Sequence, residues 1–441
     1  MLIVLTLIAF ILIFISYSKY HKLFNPCSVI LIWYFLLGWL SKIGIQEMYI
    51  PSDESTALIL GNTIFIAIIF LALTPNGCVR LTEISRNEAR ETDARLLNDR
   101  MWFYNVRKIC EIICFIIICA IDLNILFKLS TGAITASQIR YALIFQEASS
   151  SFNTDFLYFN GYVRDFLTYF VRFFVFFDVL IELSNFGLYN KPLRIIPMAN
   201  FGLFCIAMLS RIDILKIAII FCIVFLFIRE KNDRKKMSKK NKTILLVAVI
   251  LSLIVIVMRV YEGDNIIDFT IRNLSGSLIG PFEAFSIFFE RYKSSGPIVS
   301  FAAVRMFFSG VTAVIEAFLV NGLKLNIPFV VKLVNAPLGD VIYVGPGQTF
   351  NAFYTMYYDF LAGGGILGTF VGAFLAGSTL ALSYNKFKKH PSVSTCLLFV
   401  LWEYIILFGT IQWRGGLTEW ACVFLVLIGN RIVVGKEKKI S

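Results

Sequence analysis

The feature that most limits this 441-residue chain is a series of apolar runs close to the length a lipid bilayer demands. They fall near 2–17, 27–45, 56–74, 109–127, 166–183, 195–209, 212–228, 243–258, 360–383, 392–409 and 417–430. A hydrocarbon core about 30 Å thick takes about 20 helical residues to cross, and buried helices of soluble proteins are usually shorter. Only 16% of the residues are charged and 58% are hydrophobic, against roughly 25% charged in soluble domains. The chain therefore reads as an all-α polytopic membrane protein with about eleven transmembrane helices. No internal repeat or separate soluble segment stands out. Residues 1–441 read as a single membrane domain with one large loop, 259–359.

Charge sets the orientation. Leu2–Tyr17 lacks the basic leader and small-residue cleavage site of a secretory signal, and Lys19, His21 and Lys22 follow it instead. It reads as a first span with the amino terminus outside. Alternation then puts 75–108 inside with seven Lys and Arg, 229–242 with eight and 431–441 with four. Short outer loops carry almost none, as the positive-inside rule requires, and the carboxyl terminus falls in the cytoplasm. The formal charge of +12 has the same origin. By composition 229–242 resembles a nucleic-acid patch, but beside two spans it reads as a stop signal facing anionic lipid, so no nucleic-acid partner is expected. Ile298–Leu323 is apolar enough for another span. It contains Arg305 and Glu316, however, and a crossing there would carry Lys386, Lys388 and Lys389 outside. It reads as an interfacial helix of the large outer loop.

Both histidines, His21 and His390, fall on the inner side, so histidine chemistry at the outer face is excluded by composition. Walker, Rossmann and Gly-x-Ser-x-Gly motifs are absent from the sequence. No cofactor and no metal are expected, and the nine cysteines are scattered, with none in 259–359. What remains outside is arginine and carboxylate: Arg140, Arg211, Arg272, Arg291 and Arg305, with Glu283, Glu290 and Glu316. Arginine is costly near hydrocarbon unless paired or facing a cavity. Its planar fork binds phosphate oxygens in bidentate fashion. A set of such groups suits a lipid diphosphate and would stabilise it as a leaving group without metal. A neighbouring carboxylate would accept the proton of an attacking sugar hydroxyl, with Glu283, Glu316 and Asp359 as open alternatives. Asp122, Asp178 and Glu403 lie within apolar runs and read as interhelical pairs or span-end residues, a proton relay being the other reading.

The run Asn351-Ala-Phe-Tyr-Thr-Met-Tyr-Tyr-Asp-Phe360, followed by Gly363, Gly364, Gly365, Gly368, Gly372 and Gly377, resembles the Wzy-type oligosaccharide repeat-unit polymerases. Their pattern is Asn, Tyr-Thr, Tyr, Asp-Phe-Gly, then a further Gly. Here Leu361-Ala362 intervenes between Asp-Phe and the glycines. Asn25-Pro26, Gln138-Ile-Arg140 and Leu209-Ser-Arg211 also match habits of that family. The resemblance implies a GT-C-like glycosyltransferase of O-antigen or capsular polysaccharide biosynthesis in the bacterial inner membrane. Such an enzyme transfers a growing undecaprenyl-diphosphate-linked glycan to a hydroxyl of the next lipid-linked unit, on the outer face.

It further implies that Arg140, Arg211, Arg272 and Arg305 bind the diphosphate, and with the carboxylates above this gives an expected catalytic set of Arg211, Arg140, Glu283 and Asp359. Arg272, Arg305, Glu316, Arg291 and Tyr358 would contact substrate. The implied partners are undecaprenyl-diphosphate-linked oligosaccharides and membrane lipids, with a chain-length regulator and a flippase beside them. O-antigen ligases share the architecture but employ a histidine in the large outer loop, where this chain has none. A lipid-linked oligosaccharide flippase or other transporter is the alternative from another class, and such folds often show internal repeats.

Overall fold

The computed structural model describes residues 1–44, 47–77, 101–133, 163, 166–189, 191–208, 210–228, 271, 275–335, 342–345, 348–350 and 354–411, and these are mostly helical. Among them four helices are long and apolar enough to cross a membrane: Leu2–Tyr20, Asp53–Leu73, Asn105–Ser130 and Met356–Lys389. Shorter apolar helices cover Pro26–Lys42, Ile195–Ala207, Ser309–Val320 and Val393–Phe408. The chain is a helical membrane protein. The runs near 243–258 and 417–430 lie outside the described residues. The chain divides into two compact units, 1–80 with 271–432 and 81–270 with 433–441.

The first unit contains α1 (Leu2–Tyr20), α2 (Pro26–Lys42) and α3 (Asp53–Leu73). Capping explains their boundaries. The Asn25 side chain accepts the Ser28 N–H at 3.0 Å, Pro26 occupies the first helical turn, and the Ser16 hydroxyl donates to Asn25 at 2.5 Å, so one residue staples α1 to α2. Ser52 caps α3, and Asp53 and Glu54 sit in its first turn, where the helix dipole favours negative charge. At one end of the unit Lys19 bonds the Leu71 carbonyl, and Lys388 bonds the carbonyls of Asn76 and Gly77 at 2.6 Å each. At the other end Lys42 meets Asp53 at 2.7 Å and Lys293 meets Glu54.

Between these ends, the second half of the unit adds α8 (Gly280–Ser295), α9 (Ala303–Phe307), α10 (Ser309–Ala317), α11 (Val330–Asn335), α12 (Met356–Lys389) and α13 (Val393–Phe408). A short antiparallel hairpin, β1 (Ile342–Gly345) with β2 (Gln348–Phe350), lies against the 47–50 turn, where the Tyr49 N–H donates to the Val344 carbonyl at 2.7 Å. Ile298–Leu323 is not one helix. It is a turn, the five-residue α9, a bend at Phe308, the nine-residue α10 and a π turn, Phe318–Gly322. Its apolar helix Ser309–Val320 is about 18 Å long, well short of a bilayer core of about 30 Å.

The span 360–383 also differs from an unbroken helix. Gly365 has φ 66° and ψ −161°, a conformation essentially restricted to glycine, and it divides α12 in two. Phe360 folds back over Gly368 and Gly372: a Cβ at Gly368 would lie 2.4 Å from the Phe360 carbonyl oxygen. In a straight helix these residues would stand about 12 Å apart along the axis. The break leaves carbonyls without helical partners, and the preceding turn supplies donors. The Val299 N–H bonds the Ala362 carbonyl at 3.0 Å and the Ala302 N–H bonds that of Gly363 at 2.5 Å. Tyr292 of α8 accepts the Ile366 N–H at 3.3 Å.

The second unit includes α4 (Met101–Ser130), α5 (Arg172–Tyr189), α6 (Ile195–Ala207) and α7 (Arg211–Ile223), with π turns at Leu167–Val171 and Val224–Ile228. Burying charge here requires pairing. Arg107 of α4 reaches Asp178 at 2.5 Å and Glu182 at 2.6 Å on α5, and Glu111 on its own helix at 3.3 Å. Arg194, preceding α6, bonds Glu111 and lies 3.5 Å from Glu182. Asp178 thus makes the interhelical pair its sequence position suggested.

Candidate functional site

In the first unit α8, α10, α11 and the first turns of α12 converge. Four residues singled out from the sequence are buried on them. Glu283 lies in the first turn of α8 and is buried, and among the described residues its Oε2 has no hydrogen-bond partner. Burial pushes its carboxyl pKa up from 4.5, and the nearby Lys42 ammonium pulls against that shift. Glu316 on α10 is buried too. Its Oε2 accepts the Val331 N–H at 3.1 Å, while Oε1 has no partner. Tyr358 is fully buried and donates its hydroxyl to the Val334 carbonyl at 2.7 Å. Asp359, the next residue, is buried in the first turn of α12.

Aromatic rings bind these elements together. Phe288 of α8 packs edge-on against Tyr358 with centroids 4.4 Å apart, and Tyr354 stacks on Tyr358 at 4.5 Å. Tyr357 bonds Thr63 of α3 at 3.0 Å, and the Met356 N–H bonds the Gly409 carbonyl at 2.7 Å. The motif Tyr354–Phe360 is therefore held from α3, α8, α11 and the end of α13. The six-residue α11 is clamped at both ends, by Glu316 through Val331 and by Tyr358 through Val334. Arg291 and Arg305 lie on α8 and α9, and both are exposed. In this unit three candidate carboxylates are buried, Glu283, Glu316 and Asp359, while Arg291 and Arg305 are exposed.

Of the remaining candidates, Arg140 and Arg272 lie outside the described residues, as do Asn351–Phe353. Arg211 is the first residue of α7 in the second unit. Around it the polar groups are engaged with one another. Ser210 caps the helix and donates its hydroxyl to Asp213 at 2.6 Å, Arg172 gives Asp213 two hydrogen bonds at 2.9 and 3.1 Å, and Lys216 lies 3.2 Å away. Arg172 and Lys216 interrupt apolar runs in the sequence, and this shared carboxylate is what accommodates them. The π turn just before Arg172 shifts the register of the helix that carries it.

Sequence reasoning missed Lys42, Tyr292 and Val334. Lys42 carried a signal, since it follows an apolar run and precedes an acidic helix start. Tyr292 and Val334 act through a hydroxyl and a backbone carbonyl at positions no local pattern marks. Among the described residues no group of three or more His, Cys, Asp or Glu is placed to hold a metal ion. Comparison of the chain with family models, with curated proteins and with solved structures finds no match.

Proposed function

We propose that the protein is a membrane glycosyltransferase of the repeat-unit polymerase kind, with Glu283 as its base. The observation that carries this reading is the unpartnered, buried Oε2 of Glu283 on α8, the helix whose Phe288 packs against Tyr358 of the Tyr354–Phe360 motif. A buried carboxylate without a direct partner is costly, and such groups concentrate at functional sites. Glu316 serves differently in this reading: its bond to Val331 makes it a clamp of α11. In the reaction the hydroxyl oxygen of the incoming lipid-linked unit attacks the anomeric carbon of the growing chain. Its proton passes to Glu283. The bond from that carbon to the carrier breaks, and the diphosphate leaves with the electron pair. Guanidinium groups stabilise it as charge develops, and the resemblance assigns this role to Arg140, Arg211, Arg272 and Arg305.

The break at Gly365 favours a second reading, because discontinuous helices also build transporter sites. One experiment separates them. In cells dependent on this protein, Glu283→Gln, Arg140→Ala and Arg211→Ala should each collapse the surface glycan from a ladder to a single-repeat rung, with the protein still inserted. A transporter variant would lose the single-repeat rung as well. An unchanged ladder in all three removes the polymerase scheme.

A further inference from the structure

The turn that straps the break of α12 presents one side chain in an unusual state. Phe301 is 96% exposed and has φ 59°, a left-handed conformation that bulky residues rarely adopt. Among the described residues none covers its ring. Its neighbours divide by face. Ala302, Ala303, Met306 and Phe307 are buried, with Phe307 stacked on Trp402 at 5.7 Å, whereas Val304 and Arg305 are exposed. The buried face fixes the turn to α12. A Cβ at Gly364 would lie 3.0 Å from that of Ala303, and Val299 and Ala302 bond the carbonyls of Ala362 and Gly363.

That attachment sets the depth of Phe301. The 20 helical steps from Ile366 to Lys386 cover about 30 Å, the thickness of a hydrocarbon core. With Lys386, Lys388 and Lys389 at one boundary, the break and its strap fall at the other. Just past the break α12 exposes the apolar residues Ile366, Leu367 and Phe370. We infer that residues 298–305 form a membrane wedge, with Phe301 entering the acyl chains of bilayer phospholipid. The wedge holds the broken end of α12 at the bilayer boundary. This inference does not depend on the glycosyltransferase reading.

The test replaces Phe301 with the photoreactive p-benzoylphenylalanine in the full chain, reconstituted in vesicles of phosphatidylethanolamine and phosphatidylglycerol. Irradiation should shift the mass of the peptide containing residue 301 by one phospholipid. The same replacement at Arg291, exposed on α8, is the comparison and should give little adduct. No lipid adduct at 301, equal adducts at both positions, or cross-links to a second protein chain would overturn the wedge. So would an adduct that forms only after a polyprenyl diphosphate is added.

Discussion

Replacing Gly365 with Ala probes the break in α12 directly. A residue with φ 66° and ψ −161° occupies a region nearly closed to other amino acids, and forcing a side chain there costs on the order of 1–3 kcal/mol. The new Cβ would also lie 2.8 Å from the Tyr292 Oη, an overpacking that costs about 1–3 kcal/mol more. The expected loss is thus roughly 2–6 kcal/mol, the two contributions taken as additive. Tyr292→Phe removes the oxygen that Ile366 bonds at 3.3 Å, a loss of about 1 kcal/mol. The two changes should couple. With the hydroxyl gone the clash is gone, so the double variant should be about 1–3 kcal/mol more stable than the sum of the singles predicts. Equilibrium unfolding in mixed micelles gives all three values. If Gly365→Ala costs less than about 1 kcal/mol and shows no coupling to Tyr292, the break is not what holds these elements. Straightening α12 is no escape, since it would forfeit the bonds from Val299 and Ala302.

Two further outcomes follow from buried charge. Glu283 is held protonated to higher pH in the folded chain than its ordinary 4.5. Its share of stability is therefore present below that value and is lost as pH rises through the raised one. Glu283→Gln should remove this decline, so its stability advantage over the wild type should grow above pH 4.5. The transfer rate should instead rise with pH through the same titration, because a base must be ionised. Arg107→Ala should destabilise the second unit by about 3–5 kcal/mol by leaving carboxylates buried without their cation. Arg107→Lys should cost less, and a melt near the wild-type value for Arg107→Ala would mean that Asp178 and Glu182 do not depend on it.

Helices α2 and α3 were legible because their cause is one-dimensional. An apolar run bounded by Asn25-Pro26, or by Ser52 before two acids, carries both its burial and its cap in local sequence. The break at Gly365 was not legible. Glycines at 363, 364, 365, 368, 372 and 377 suggest close packing, but only one of them turns the chain. Which one depends on donors at Val299 and Ala302, more than sixty residues upstream. The candidate site shows the same division. Residue type marked Glu283, Glu316 and Asp359 as candidates, yet could not rank them. Among the described residues each glutamate keeps one oxygen without a partner, and what separates them is that the other oxygen of Glu316 accepts the Val331 N–H and ties it to α11.

The strap and the buried Tyr354–Phe360 motif depend on one another through α12. Turning the chain at Gly365 sends the Tyr354–Phe360 leg back among α3, α8 and α11 instead of away from them. An unbroken helix would project that leg, with Asp359, beyond the Gly365 end of the helix. The freed carbonyls then need donors, because unpaired carbonyls in an apolar interior cost several kcal/mol each. A turn that supplies Val299 and Ala302 in the required geometry leaves Phe301 in a left-handed conformation facing outward. On the bilayer side that exposed ring is an asset, since acyl chains solvate it where water would not. The strain at Phe301, the freed carbonyls and the buried position of the motif are thus consequences of one bend, and a change at Gly365 should disturb all of them together.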